Sequence, residues 1–490
     1  MLMTRGWLAG ELGDVDVVVH EERLHLFYLN VPSHDTISHV VSDDGMTWTP
    51  LPNALHVGNP GEPDDDQLWT MHVFRWKGRF HMLYTCLAQA EDGRLQRTGL
   101  AVSDDLITWR KAPHNPVAAP DPRWYEADLS SSGRADWRDP FPWIEGDTIH
   151  ALVCAHEKDG PFNRRGCVGH LTSTDAEHWT VQPPFYRPGI STDFEVPCLF
   201  KLNGRYYLTG HLCAPPMDVY RVADRLEGPW RRPPDDLLLP PDNHAFHAVT
   251  WRGQTLLFHW LSSRNWDGSG QAMRILPTPK VAVADENGLL SLKPFEAGWD
   301  AVAAGAWQAM SPSEAMAGTT HRGEWRRDGQ AVLGQADPGM GIQFLPGEWS
   351  DFDLELTASG NAPEIGIVFR SDAEADRCMR LSCRTGRDAV ELAAVLWRLN
   401  CNAIGRGYEA VQSALSRFAP GRPFTLRLSA HGPYVEGSVD GVVRLSALRM
   451  DQRAGRIGLF IEDGRAAFTN LRMRPLKAPS VRLPLGPVRM

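Results

Sequence analysis

Short apolar runs alternate with turn residues over the first 295 positions, and five of these runs are variants of one another. Leu24-His25-Leu26-Phe27-Tyr28-Leu29 returns as Phe80-His81-Met82-Leu83-Tyr84-Thr85 and as Ile149-His150-Ala151-Leu152-Val153-Cys154. It returns again as Tyr206-Tyr207-Leu208-Thr209-Gly210 and as Leu256-Leu257-Phe258-His259-Trp260-Leu261. Turn-prone residues precede them: Glu21-Glu22-Arg23, Lys77-Gly78-Arg79, Glu145-Gly146-Asp147, Asn203-Gly204-Arg205 and Arg252-Gly253-Gln254. Strand, tight turn and second strand make a β-hairpin. The runs start 56, 69, 57 and 50 residues apart, and hairpins at that period predict propeller blades of about four strands each.

A second repeat runs in phase with the first. Ser42-Asp43-Asp44 is followed by Trp48, Ser103-Asp104-Asp105 by Trp109 and Ser173-Thr174-Asp175 by Trp179, while Asp224 before Trp230 is a degenerate fourth copy. Ser and Asp side chains bond nearby backbone amides and favour a tight turn, so these elements read as structural, with each tryptophan free to pack between neighbouring blades.

The periodicity fades near 295–315, where Gly305 to Gly318 is rich in Ala, Ser and Gly. Alternating segments then resume at Phe352-Asp353-Leu354-Glu355-Leu356, Glu364-Ile365-Gly366-Ile367-Val368-Phe369-Arg370, Phe424-Thr425-Leu426-Arg427-Leu428-Ser429 and Arg456-Ile457-Gly458-Leu459-Phe460-Ile461, in the manner of a β-sandwich. The expected organisation is all-β: a five-bladed propeller over 1–295, a linker over 296–312 and a sandwich over 313–490 that ends in a proline-bearing surface tail.

Composition narrows the class. A chain of 490 residues suits two domains. The 18 tryptophans fit both blade packing and sugar stacking, and a net charge of −10 argues against nucleic acid. No apolar run has the length of a membrane span, and Met1 to Glu11 lacks the core of a signal peptide. Eight cysteines show no paired metal spacing; Cys378 and Cys383 stand alone as a close pair, and several others sit in strand-like segments as buried reduced thiols. A cytoplasmic enzyme without metal or cofactor is expected.

Three acids stand at strand edges within this framework: Asp14 in Gly13-Asp14-Val15, Asp139 in Trp137-Arg138-Asp139-Pro140, and Glu195 in Asp193-Phe194-Glu195-Val196-Pro197. Cleavage of a glycosidic bond needs two carboxylates across that bond, and a third acid often orients the sugar. His244 and His247 stand three apart on a strand, a spacing that sends them to opposite faces, and are read as hydroxyl-binding or structural groups.

From Leu12 to about Pro294 the sequence resembles glycoside hydrolase family 32. The resemblance rests on His25-Leu26-Phe27-Tyr28, on Ser38-His39-Val40-Val41-Ser42-Asp43-Asp44, and on Trp48-Thr49-Pro50-Leu51-Pro52-Asn53-Ala54-Leu55, close to the family's W-x-x-L-P-x-A-L. Trp69-Thr70, Arg138-Asp139-Pro140, Glu195-Val196-Pro197 and Leu276-Pro277-Thr278-Pro279 follow in the family's order. The resemblance implies a retaining β-fructofuranosidase. Asp14 or Asp16 would attack the anomeric carbon, and Glu195 would protonate the leaving oxygen and then activate water. Asp139 would hold sugar hydroxyls, Arg138 would fix Asp139 or keep Asp14 ionised, and Trp69, Thr70, His247 and Trp260 would line the substrate. The sequence departs from the family at Gly13-Asp14-Val15-Asp16, which replaces N-D-P-N-G, and at Leu29, Met71-His72 and Val196. These changes leave open another furanoside, a transglycosidase, or a binding propeller whose catalysis has decayed.

Overall fold

A computed structural model describes residues 2–5, 11–130, 132–262, 273–372, 376–396, 408–419, 421–449 and 454–479. They divide into two compact units, one from 2–262 and 273–291, the other from 292–479. Among the described residues no helix is long and apolar enough to cross a membrane.

The first unit is the five-bladed propeller. Its inner strands are Glu11–His20, Gln67–Trp76, Trp137–Glu145, Glu195–Leu202 and Asn243–Trp251, in blades I to V, and each contacts the next until blade V meets blade I. The repeated apolar runs form the second strand of every blade, paired antiparallel to the inner one. The turns between them use left-handed backbone at both central residues in four blades: Glu21-Glu22, Lys77-Gly78, Asn203-Gly204 and Arg252-Gly253. That conformation matches the twist of a two-residue hairpin. Strand Leu2–Arg5 pairs with Met273–Leu276 of blade V, so the start of the chain completes the last blade.

Blade IV carries three regular strands, Glu195–Leu202, Arg205–Cys213 and Pro216–Ala223, where four were expected. The segment beyond them holds Pro229, Pro233, Pro234, Pro240 and Pro241, which cannot donate to a ladder. It touches the blade through isolated bridges at Val219–Leu237 and Val222–Arg231.

The serine–aspartate turns hold as expected. Asp44 Oδ1 accepts the amides of Met46 and Thr47, Asp105 Oδ1 those of Ile107 and Thr108, and Asp175 Oδ1 those of Glu177 and His178. Each turn delivers a tryptophan edge-on to a phenylalanine of the preceding blade: Trp48 to Phe258, Trp109 to Phe27 and Trp179 to Phe74, with centroids 6.1, 5.8 and 6.4 Å apart.

The second unit is one long sheet curled into a nearly closed sandwich around Leu354, Leu356, Ile365, Ile367, Leu426, Leu428, Ile457 and Leu459. The Gln412 side chain, on Tyr408–Leu415, exchanges two hydrogen bonds with the Ser446 backbone on Val442–Leu448 and joins the sheet's two ends. Residues 296–312, expected as a linker, are built into this unit. Helix Glu296–Ala301 buries Trp299 against Tyr434, and Arg427 and Arg474 bond its Glu296 and Asp300. An apolar tryptophan and two ion pairs give this stretch partners that periodicity alone did not reveal. The end of the expected tail, from residue 480, and Cys401 lie outside the described residues.

Candidate active site

Every inner strand breaks register at the same height. The shifts fall between Leu12 and Val15, Trp69 and Met71, Arg138 and Phe141, Glu195 and Cys198, and His244 and His247. A bulge adds a residue, bends the strand and re-aims side chains. Five such bulges in register gather Asp14, Thr70, Asp139, Val196 and Ala245 at one pocket of about 330 Å³. Asp139, Val196 and Ala245 have φ of 61°, 45° and 60°, strained values for residues with a side chain. At blade I the bulge holds Gly13, where a Cβ would stand 2.6 Å from Val31 Cγ2; the glycine lets Asp14 approach.

The expected residues Asp14, Trp69, Thr70, Arg138, Asp139, Glu195 and Trp260 all line this pocket. Leu29, His34, His211 and His244 line it as well. His247 does not. The extra residue of the bulge offsets its odd spacing from His244, so His247 also faces inward but deeper, with Nδ1 2.8 Å from Asp16 Oδ1. Asp16 is likewise absent from the pocket. It is fully buried, because two residues along a strand amount to roughly 7 Å of depth. Of the two candidate nucleophiles, Asp14 alone reaches the cavity.

Asp14 is oriented from two other blades. Oδ2 accepts the Thr70 hydroxyl at 2.5 Å and Oδ1 accepts the Trp260 indole N–H at 2.8 Å. Asp139 is 4% exposed; its Oδ2 accepts the Val196 amide at 2.9 Å. Burial pushes its carboxyl up to about 7, with Arg138 opposing and the charges of Asp14 and Glu195 adding to the rise.

Arg138 was expected to serve Asp139 or Asp14. Its guanidinium instead reaches Asp136 Oδ1 at 2.7 Å, Asp193 Oδ1 at 2.7 Å and Glu195 Oε1 at 2.6 Å, and comes only within 3.7 Å of Asp139. Behind it, His156 Nε2 lies 3.0 Å from Asp136 and 3.4 Å from Asp193, and Nδ1 lies 3.3 Å from Glu126. Burial disfavours the His156 imidazolium, but these carboxylates outweigh it and raise its pKa. The rigid fork of Arg138 thus fixes one oxygen of Glu195 from a buried base of carboxylates and an imidazole. Asp136 and Asp193 each precede a site residue by two positions, just before the strands Trp137–Glu145 and Glu195–Leu202; that spacing was present in the sequence. On the strand paired with that of Glu195, His211 is the register partner of Glu195 and bonds Asp218 at 2.9 Å across the next hairpin, and His244 stacks on Trp260 with centroids 4.4 Å apart.

Residues 14–222 match the family described as glycosyl hydrolases family 32 N-terminal domain. The chain resembles glycoside hydrolase family 32. Solved structures with the same fold include fructan 1-exohydrolase IIa from Cichorium intybus, 14% identical over 98% of both chains with a TM-score of 0.73. Sucrose-6-phosphate hydrolase from Lactobacillus gasseri is 14% identical over 98% of this chain and 93% of its own, with a TM-score of 0.71. The Bombyx mori family 32 β-fructofuranosidase is 16% identical over 97% and 94%, with a TM-score of 0.65. No curated protein sequence matches the chain. At these identities the family 32 fold extends over the whole chain, while the pocket's Leu29, Val196, His211 and His244 are read from this chain alone.

Proposed function

We propose that this protein is a retaining glycoside hydrolase acting on a furanoside, a β-fructofuranoside first among them, with Asp14 as nucleophile and Glu195 as acid/base. One observation carries the reading: Asp14, Asp139 and Glu195, on blades I, III and IV, line a single small pocket. Its volume of about 330 Å³ is near the lower end of the roughly 300–1,000 Å³ typical of ligand pockets and suits a terminal sugar unit. Among the neighbours, fructan 1-exohydrolase IIa was solved with 1-kestose and the Bombyx mori enzyme with sucrose.

The geometry divides the labour. Thr70 and Trp260 hold the Asp14 carboxylate for attack on the anomeric carbon. Glu195, gripped at Oε1 by Arg138, delivers a proton to the leaving oxygen and later takes one from water. Asp139 grips sugar hydroxyls, donating or accepting according to its protonation. Leu29 and Val196 place apolar surface in the pocket where the family carries a glutamine and a cysteine, which favours a furanoside other than sucrose as the second reading.

A screen of aryl furanosides and fructo-oligosaccharides with product analysis tests the class. Proton NMR of the first-formed anomer is expected to show retention. Initial release of the inverted sugar would exclude the covalent route.

A further inference from the structure

Two residues beyond each pocket-lining bulge residue the same five strands supply a second, deeper layer: Asp16, His72, Phe141, Cys198 and His247. The proposed chemistry uses none of them. Three carry metal-ligating atoms that converge. Asp16 Oδ1 lies 2.9 Å from His72 Nδ1 and 2.8 Å from His247 Nδ1, and one ligand atom from each of the three residues lies within 4.8 Å of the others. Donor atoms bound at about 2.0–2.2 Å to one ion stand about 3–3.5 Å apart, and the two spacings made by Asp16 Oδ1 fall just short of that range.

The site is also largely buried and half-organised. Asp16 has no exposed surface, and His247 is 3% exposed. Asp16 Oδ2 accepts the Val73 amide at 2.7 Å, which fixes the carboxylate and leaves Oδ1 toward the histidines. No hydrogen bond of acceptable angle ends on Asp16 Oδ1 or on His247 Nδ1, although both are buried: the ring nitrogens are near enough, but their N–H directions miss the oxygen. Buried polar atoms without a hydrogen bond are costly and call for a partner. The Phe141 ring, with centroids 4.5 Å from His72 and 5.5 Å from His247, closes one side against water.

The geometry assigns to Asp16, His72 and His247 a binding site for one divalent first-row transition-metal ion beneath the sugar pocket. Two imidazole nitrogens with a single carboxylate suit zinc and its neighbours better than calcium or magnesium, which prefer all-oxygen shells. The ion would tie together the inner strands of blades I, II and V, which supply the three ligands.

The test uses the full chain, stripped with a chelator and dialysed. Titration with Zn²⁺ is expected to show about one equivalent bound per chain and a rise in Tm of several degrees. Co²⁺ is expected to give a ligand-field spectrum of nitrogen and oxygen ligation. His72→Gln and His247→Gln are each expected to weaken Zn²⁺ binding by at least about tenfold and to abolish the Tm rise. His114→Gln, at an exposed stacked histidine pair, should change neither. Should His247→Gln fail to fold, His72→Gln and the wild-type Co²⁺ spectrum decide. Absence of stoichiometric binding to the wild type, or binding and stabilisation unchanged in His72→Gln, overturns the assignment.

Discussion

The indole N–H of Trp260 donates to Asp14 Oδ1 across 2.8 Å, linking residues 246 positions apart. One residue belongs to the last blade and the other to the first, so the proposed nucleophile is aimed only once the ring has closed. A hydrogen bond to a charged group contributes about 1.5–3 kcal/mol. Trp260→Phe keeps the aromatic surface and removes the donor. We expect it to fold normally and to lose roughly ten- to a hundredfold in kcat/KM. Unchanged kinetics would show that the bond does not aim the nucleophile.

Asp14 and Asp16 separate by depth, and substitution should separate them by phenotype. Asp14→Asn is expected to eliminate turnover with little change in Tm. Asp16→Asn withdraws a buried carboxylate beside two imidazoles and should cost about 1–3 kcal/mol of stability. Its folded fraction should retain far more turnover than Asp14→Asn. Calorimetry and steady-state rates on the same preparations check both. The reverse pattern would move the nucleophile to Asp16.

Glu195→Gln should nearly abolish turnover of natural sugars, whose alkoxide leaving groups need a proton. Furanosides with acidic phenols should lose less in the first step, because they depart unaided. Equal loss on both substrate kinds, with the fold intact, would exclude Glu195 as the acid.

Asp139 predicts a signed pH dependence. Its carboxyl is raised by burial to about 7 from an ordinary 3.8. Between those values the folded protein binds more protons than the unfolded chain, so this group's contribution to stability is complete below about pH 4 and is lost as pH rises through about 7. The total is a few kcal/mol. Asp139→Asn removes it. Denaturant titrations between pH 4 and 8 should therefore show the wild type losing stability relative to the variant as pH rises. A parallel pair of curves would mean that Asp139 is ionised throughout.

Some of this was legible in the residues alone. Apolar runs at a period of 50–69 residues specify hairpins, because alternation and turn chemistry act over a few neighbours, and the serine–aspartate turns aim their tryptophans by equally local bonds. The acids Asp14, Asp139 and Glu195 were legible because each sits in a short motif at a strand edge. Tertiary structure decided what depends on depth and register. Nothing in Gly13-Asp14-Val15-Asp16 tells which acid reaches the cavity, since strand periodicity places both on one face. The bulge and the roughly 7 Å between them leave Asp14 in the pocket and bury Asp16. His244 and His247 changed roles for the same reason: a period-two count fails once a bulge adds a residue. Asp193 and Glu195 lie 55 and 57 positions from Arg138, and Asp14 lies 246 from Trp260; only the tertiary fold brings such distant side chains within a hydrogen bond.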